Sequence, residues 1–280
     1  GSAAAHAFYR RDAAAQSRYQ MSEGEETLAA ELALSGGNAW GRLQGVVTSQ
    51  MSVPFELDGQ VQKLPMPALI NLRSHPDGDV RRRAYEAEMA AWEGAREPLA
   101  AALNGVKGTA DTLNRRRGRK NAVHSALDEA RIDQPTLDAM LGAMRDSFPM
   151  FRQYFQAKAR KLGKEKLPWW DLFAPMGQNT QSFTYDAARS YILEQFRGFS
   201  PHLEAFAQHA FEKNWIDAEQ RSGKQGGAFC MSLPLQKESR ILCNFDGSFD
   251  QVSTIAHELG HGFHDDCLFR AGKTNLQRRT

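Results

Sequence analysis

The stretch from Ser248 to His261, Ser-Phe-Asp-Gln-Val-Ser-Thr-Ile-Ala-His-Glu-Leu-Gly-His, constrains this 280-residue sequence more than any other. Ser248 with Gln251 three positions later has the form of a capping box, which predicts a helix beginning at Phe249. Along that helix Val252, Ile255, Ala256, Leu259 and Phe263 make an apolar stripe for packing on a core, while His257 and His261, one turn apart, share a neighbouring face. Two imidazoles at that spacing reach one metal ion, and neutral imidazole nitrogen is a good zinc ligand. Glu258, beside the first histidine, is placed to take a proton from a zinc-bound water, whose pKa the metal lowers to about 7, and to hand it to a leaving amine. The chemistry that follows is metal-assisted amide hydrolysis. The bland alternative is a pair of surface histidines around a solvated glutamate. It requires a chance HExxH, on the order of 1% for so few histidines, and leaves the cap and the apolar stripe as coincidences.

The remainder of the sequence predicts a mainly α fold interrupted twice by β-structure. Residues 3–42 read as one or two helices closing at Ser35-Gly36-Gly37-Asn38. Residues 46–72 mix β-branched residues, prolines and an Asp58-Gly59 pair, which predicts a small hairpin turning there. Helical periodicity returns from Asp77 to Asn114, with Pro98 marking a new start, and again from Gln134-Pro135. The latter helix carries Leu137, Met140, Leu141, Met144, Met150, Phe151, Tyr154 and Phe155, a stripe expected to lie in the core because Met fills irregular gaps between helices. Residues 185–197 and 201–214 read as two further helices, the second capped by Ser200 with Pro201 in its first turn. Two short apolar runs, Gly227 to Leu233 and Arg240 to Phe245, predict a hairpin leading into the motif helix. The domain organisation expected is a helical domain over 3–217 with the β insertion near 46–72, and a hairpin plus HExxH helix over 218–280 opening a catalytic domain. Gly1-Ser2 reads as a cloning remnant.

Bulk charge excludes little: 35 basic against 33 acidic residues give a formal net charge of +2, so neither nucleic acid nor an anionic membrane is implied. Arg115 to Lys120 packs five positive charges into six positions, but without aromatic interleaving it is expected to be a solvated loop between helices rather than a nucleic-acid surface. Cys230, Cys243 and Cys267 are odd in number and share no CxxC spacing, which suits a reducing compartment, the cytoplasm by default. No run approaches the length of a membrane-spanning helix, and no signal peptide is recognisable at the N-terminus.

The segment Gly226 to Phe245, followed by Thr254 to His264, resembles the oligoendopeptidase F and thimet oligopeptidase family of zinc metallopeptidases. The similarity extends more weakly through Leu103-Asn104-Gly105-Val106-Lys107-Gly108 and the helical stretch from Tyr154 to Asp171. The resemblance implies a multi-helix metallopeptidase architecture with a small sheet beside the HExxH helix, forming half of a deep channel that admits short peptides. It implies one zinc ion held by His257 and His261, with Glu258 as general base and His264 supporting the site. Gly226, Gly227 and Ala228 look like the family's edge strand, whose free backbone groups pair with an extended peptide and whose small residues allow close approach.

In that family the third zinc ligand is a glutamate on the following helix, and oxyanion donors come from a later segment still. No glutamate follows Glu258 here. Asp265 would put three ligands on one helical rod, a poor fit to tetrahedral coordination. The longer metzincin pattern wants glycine and a further ligand where His264 and Cys267 stand. The expectation is therefore an internal piece of a longer zinc endopeptidase, weakly active or inactive alone, with its third ligand beyond Thr280. The competing expectation is a non-catalytic helical peptide-binding module that keeps the motif helix.

Overall fold

A computed structural model describes residues 2–177 and 182–272. Helices α1 (Ser2–Ala5), α2 (Ala7–Gln16), α3 (Glu23–Ala33) and α4 (Gly37–Gln50) lead to strands β1 (Ser52–Leu57) and β2 (Gln60–Pro65). Then follow α5 (Met66–Asn71), α6 (Gly78–Gly94), α7 (Arg96–Arg116), α8 (His124–Ala130) and α9 (Gln134–Lys161). The C-terminal part comprises α10 (Tyr185–Phe199), α11 (Pro201–Glu212), β3 (Ile216–Asp217), β4 (Phe229–Leu233), β5 (Glu238–Leu242) and α12 (Phe249–Arg270). The protein is mainly helical with two small sheets. Its chain divides into two compact units: the described residues within Gly1–Ala15, Ser49–Asn71 and Asn179–Thr280, and those within Gln16–Thr48 and Leu72–Gln178.

The unit that carries α12 is built around α10, α11 and a three-stranded sheet in the order β3-β5-β4, with β3 parallel and β4 antiparallel to the central β5. Its core joins Ala188 and Ile192 of α10, Ala207, Ala210 and Phe211 of α11, Ile241 of β5, and Val252, Ile255 and Leu259 of α12. Each buried Ile or Leu among them contributes roughly 1.5–3 kcal/mol relative to exposure, which fixes the face that α12 must turn inward. Polar side chains set where the helices begin: Thr184 accepts the Ala187 N–H, Ser200 the Leu203 N–H with Pro201 first in the helix, and Ser248 the Gln251 N–H. The capping box at Ser248 is only half formed, because the Ser248 N–H donates to Asp246 Oδ1 at 2.9 Å. Just before it Gly247 has φ +85°, and a Cβ there would stand 2.9 Å from the Phe183 carbonyl oxygen, so only glycine fits.

The hairpin expected at Asp58-Gly59 is present. Both residues have positive φ, 53° and 75°, as a two-residue turn between antiparallel strands requires. It is narrower than the expected β interlude, since α4 continues through Gln50 and takes in Val46, Val47 and Thr48.

The second unit contradicts two expectations. Arg115 and Arg116 lie in the last turn of α7, and the charge run that follows is partnered, not simply solvated: Arg116 pairs with Glu25 at 3.1 Å, Arg117 with Glu26 at 2.6 Å, and Arg119 with Asp128. The carboxylates needed for this are distant in sequence, so no local pattern announces them. The Met and aromatic stripe of α9 is not core. Met140, Leu141, Met144, Phe148, Met150, Phe151, Tyr154 and Phe155 are all exposed, because no described element covers that face. Burial on α9 is confined to Lys158 and Ala159. Nearby, Asp171 is wholly buried, accepting two hydrogen bonds from Arg81 at 3.0 and 2.8 Å and one from Lys164, while Lys158 donates to the Leu172 carbonyl at 2.8 Å.

Candidate active site

Helix α12 brings the two histidines together as their spacing requires. His257 Nε2 and His261 Nε2 are 3.1 Å apart on an exposed face, with the rings at 84°. Two nitrogens bound tetrahedrally to one zinc, each at roughly 2.0–2.1 Å, lie about 3.3 Å from each other, so the pair fits a shared ion with the helix as it stands. Glu258 lies around the helix from them and is 7% exposed. It makes no hydrogen bond or ion pair with a described residue.

Strand β4, which carries Cys230, packs against α12. Burial pushes that thiol's pKa up, and the carboxylates of Asp265 and Glu258 add to the effect. Cys243, just past the end of β5, is pushed up to about 11, mainly by burial. Both are poor thiolates at neutral pH.

Gly226 and Gly227 are exposed and Ala228 is half-buried; together they form the lead-in to β4, whose first residue is Phe229. Because β4 pairs only with β5, its other edge has no partner among the described residues. His264 is exposed three residues beyond His261. No third donor joins the histidines: among the described residues no group of three or more His, Cys, Asp or Glu side chains is arranged to hold a metal ion. Of the other side chains that follow His261, Asp266 pairs with Arg270 at 2.5 Å and Cys267 Sγ lies 3.9 Å from the same guanidinium.

Sequence reasoning missed several residues that place the motif. A Cβ at Gly262 would stand 2.9 Å from Phe206 Cζ and 3.5 Å from Ser239 Cβ, so this glycine lets α12 seat closely on α11 and β5. Phe206 has little freedom to yield, being packed edge-on against both Trp215 and Phe263. Lys224 and Asn244 are buried polar residues beside β4. No local pattern announces either residue, because their partners are mostly backbone carbonyls.

These features coincide with what comparison with known proteins finds. A sequence profile of peptidase family M3 matches residues 71–268, and the chain belongs to that family. Among curated relatives, Group B oligopeptidase PepB of Streptococcus agalactiae is 25% identical over 246 residues, 87% of this chain and 41% of that protein. Oligopeptidase PepF of Bacillus subtilis is 23% identical over 248 residues, 87% of this chain and 37% of that protein. The chain thus spans about two fifths of the length of the relatives it matches. A Bacillus anthracis structure assigned as an oligoendopeptidase F superposes with a TM-score of 0.77 at 18% identity, over 92% of this chain and 47% of that one, which shows the shared fold.

Proposed function

We propose that this chain carries the first two metal ligands and the general base of a zinc-dependent endopeptidase that cleaves internal bonds of short oligopeptides. The observation that carries the reading is the His257–His261 pair at 3.1 Å with buried Glu258 beside it. Zinc held there would supply Lewis-acid polarisation of water and of the scissile carbonyl. Glu258 accepts the proton of the attacking water and returns it to the leaving amine. The unpaired edge of β4, entered through Gly226, Gly227 and Ala228, pairs with the extended backbone of the peptide, and His264 supports the histidine pair. The three cysteines are all free, which favours a reducing compartment such as the cytoplasm. No described helix is long and apolar enough to cross a membrane.

The third ligand, a glutamate by family resemblance, comes from outside residues 1–280, so this chain alone binds zinc weakly and turns over little. The lack of a third donor among the described residues also favours a second reading, a non-catalytic peptide-binding module. One experiment separates them. Zinc content and cleavage of a quenched fluorescent peptide are compared for this chain, for a longer polypeptide containing it, and for the longer Glu258→Gln variant. Stoichiometric zinc is expected in the longer protein, together with activity that falls about 10²–10⁴-fold in the variant. A longer protein that is zinc-free and inactive refutes the peptidase reading.

A further inference from the structure

The loop that leads into β4 is tied down by two buried polar side chains that the active-site chemistry does not use. Lys224, 5% exposed, directs Nζ at four oxygens: the Asp217 carbonyl at 2.9 Å, Asp217 Oδ1 at 3.0 Å, the Glu219 carbonyl at 2.7 Å and the Cys243 carbonyl at 2.6 Å. Its three N–H donors are thus shared among the ends of β3 and β5 and their connection. Asp217 is held in place in turn by a two-pronged contact from Arg221, with both bonds at 2.7 Å.

Asn244, 4% exposed, works from the opposite side. Its Nδ2 donates to the Gln225 carbonyl at 3.1 Å and the Gly227 carbonyl at 2.9 Å. The register of β4 on β5 begins only at Phe229 opposite Leu242, so the Asn244 side chain replaces the ladder bonds that are missing one step earlier. Asn244 Oδ1 is buried without a partner in the described structure, and a flipped amide would set that oxygen against two carbonyls. The two donated bonds therefore decide the orientation. The Asn244 carbonyl itself accepts from Asn71 and Gln220, both at 3.2 Å, and the Gly223 N–H donates to the Ser49 carbonyl at 3.0 Å.

The backbone ordered in this way is exposed and bears almost no side chain: Gly226, then Gly227 at φ +84°, then Ala228. Buried polar side chains ordinarily serve the interior; here two of them order a solvent-facing glycine pair at the head of an unpaired strand edge. We propose that Lys224 and Asn244 are positioning residues that hold Gly226–Ala228 in register for an extended peptide, and so set peptide affinity rather than the chemical step. This rests on the peptidase reading above.

The test uses a metal-loaded longer polypeptide containing this chain, its Lys224→Met and Asn244→Leu variants, and Glu258→Gln as control. Hydrogen exchange is followed at amides 223–229 and along α12, and KM and kcat are measured on a quenched fluorescent oligopeptide. Both clamp variants are expected to quicken exchange in the loop alone and to raise KM roughly tenfold with kcat nearly unchanged, and Asn244→Gln to recover part of the KM. Faster exchange with KM unmoved makes the clamp merely structural and overturns the proposal while the peptidase reading stands. Unaltered exchange, or a fall in kcat at fixed KM, overturns it as well. If Lys224→Met does not fold, the Asn244 pair decides by the same criteria. Wild-type protein lacking cleavage that depends on Glu258 removes the peptidase reading and this proposal with it.

Discussion

Helices α9 and α12 begin alike and are treated in opposite ways. Each starts on a short polar cap, Asp133 or Ser248, and each carries an apolar stripe. On α12 that stripe meets α10, α11 and the sheet, and Ile255 and Leu259 have no exposed surface. On α9 the stripe lines an open groove of about 600 Å³, with Met144 and Phe151 about half exposed. Periodicity therefore reports which face of a helix seeks cover, and nothing about whether the cover lies among the same residues. The buried part of α9 sits at its C-terminal end, where Ala159 has no exposed surface and Lys158 donates to the Leu172 carbonyl next to the Arg81–Asp171–Lys164 cluster.

The contrast can be broken at three points. The largest effect is expected at Asp171, whose carboxyl is 0% exposed. Asp171→Asn leaves Arg81 and Lys164 uncompensated and should cost about 3–5 kcal/mol in denaturant unfolding. Burial opposes ionisation of Asp171, but hydrogen bonds from Lys164 and Arg81 outweigh it and hold the carboxyl below its ordinary value. Its contribution is accordingly complete above the unfolded-state pKa and lost as pH falls through the lower folded-state value, a dependence that Asp171→Asn should abolish. Next comes Leu259→Ala on α12, expected to lower stability by about 2–5 kcal/mol through lost burial and a cavity. The smallest change belongs to Met144→Ala on α9, within about 0.5 kcal/mol in this chain by thermal or urea unfolding. A cost at Met144 comparable to that at Leu259 would show that the stripe is covered in solution and would end the comparison.

Local signals were legible where a single residue type decides a backbone conformation. Asp58-Gly59 gave its hairpin, Ser200-Pro201 and Gln134-Pro135 their helix starts, and Ser248 the first turn of the motif helix. Signals that depend on distant partners misled or stayed silent. Val46, Val47 and Thr48 favour strand taken alone, yet a helix already begun at Gly37 runs through them. The arginine run looked solvated because Glu25 and Glu26 stand 91 residues away from Arg116 and Arg117. Lys224 and Asn244 gave no hint of their roles, since their partners are backbone carbonyls that only the folded strands bring within reach.

For the candidate site the division is equally physical. Sequence alone determined that His257 and His261 share a helical face with Glu258 adjacent, because 3.6 residues per turn brings positions four apart together whatever surrounds the helix. Tertiary structure decided the rest: that Glu258 is buried while the histidines are exposed, that Gly262 seats the helix against Phe206, and that Asn244 replaces the missing ladder ahead of β4. These depend on which surfaces pack and which hydrogen bonds remain unmade, and such facts exist only once the elements have met.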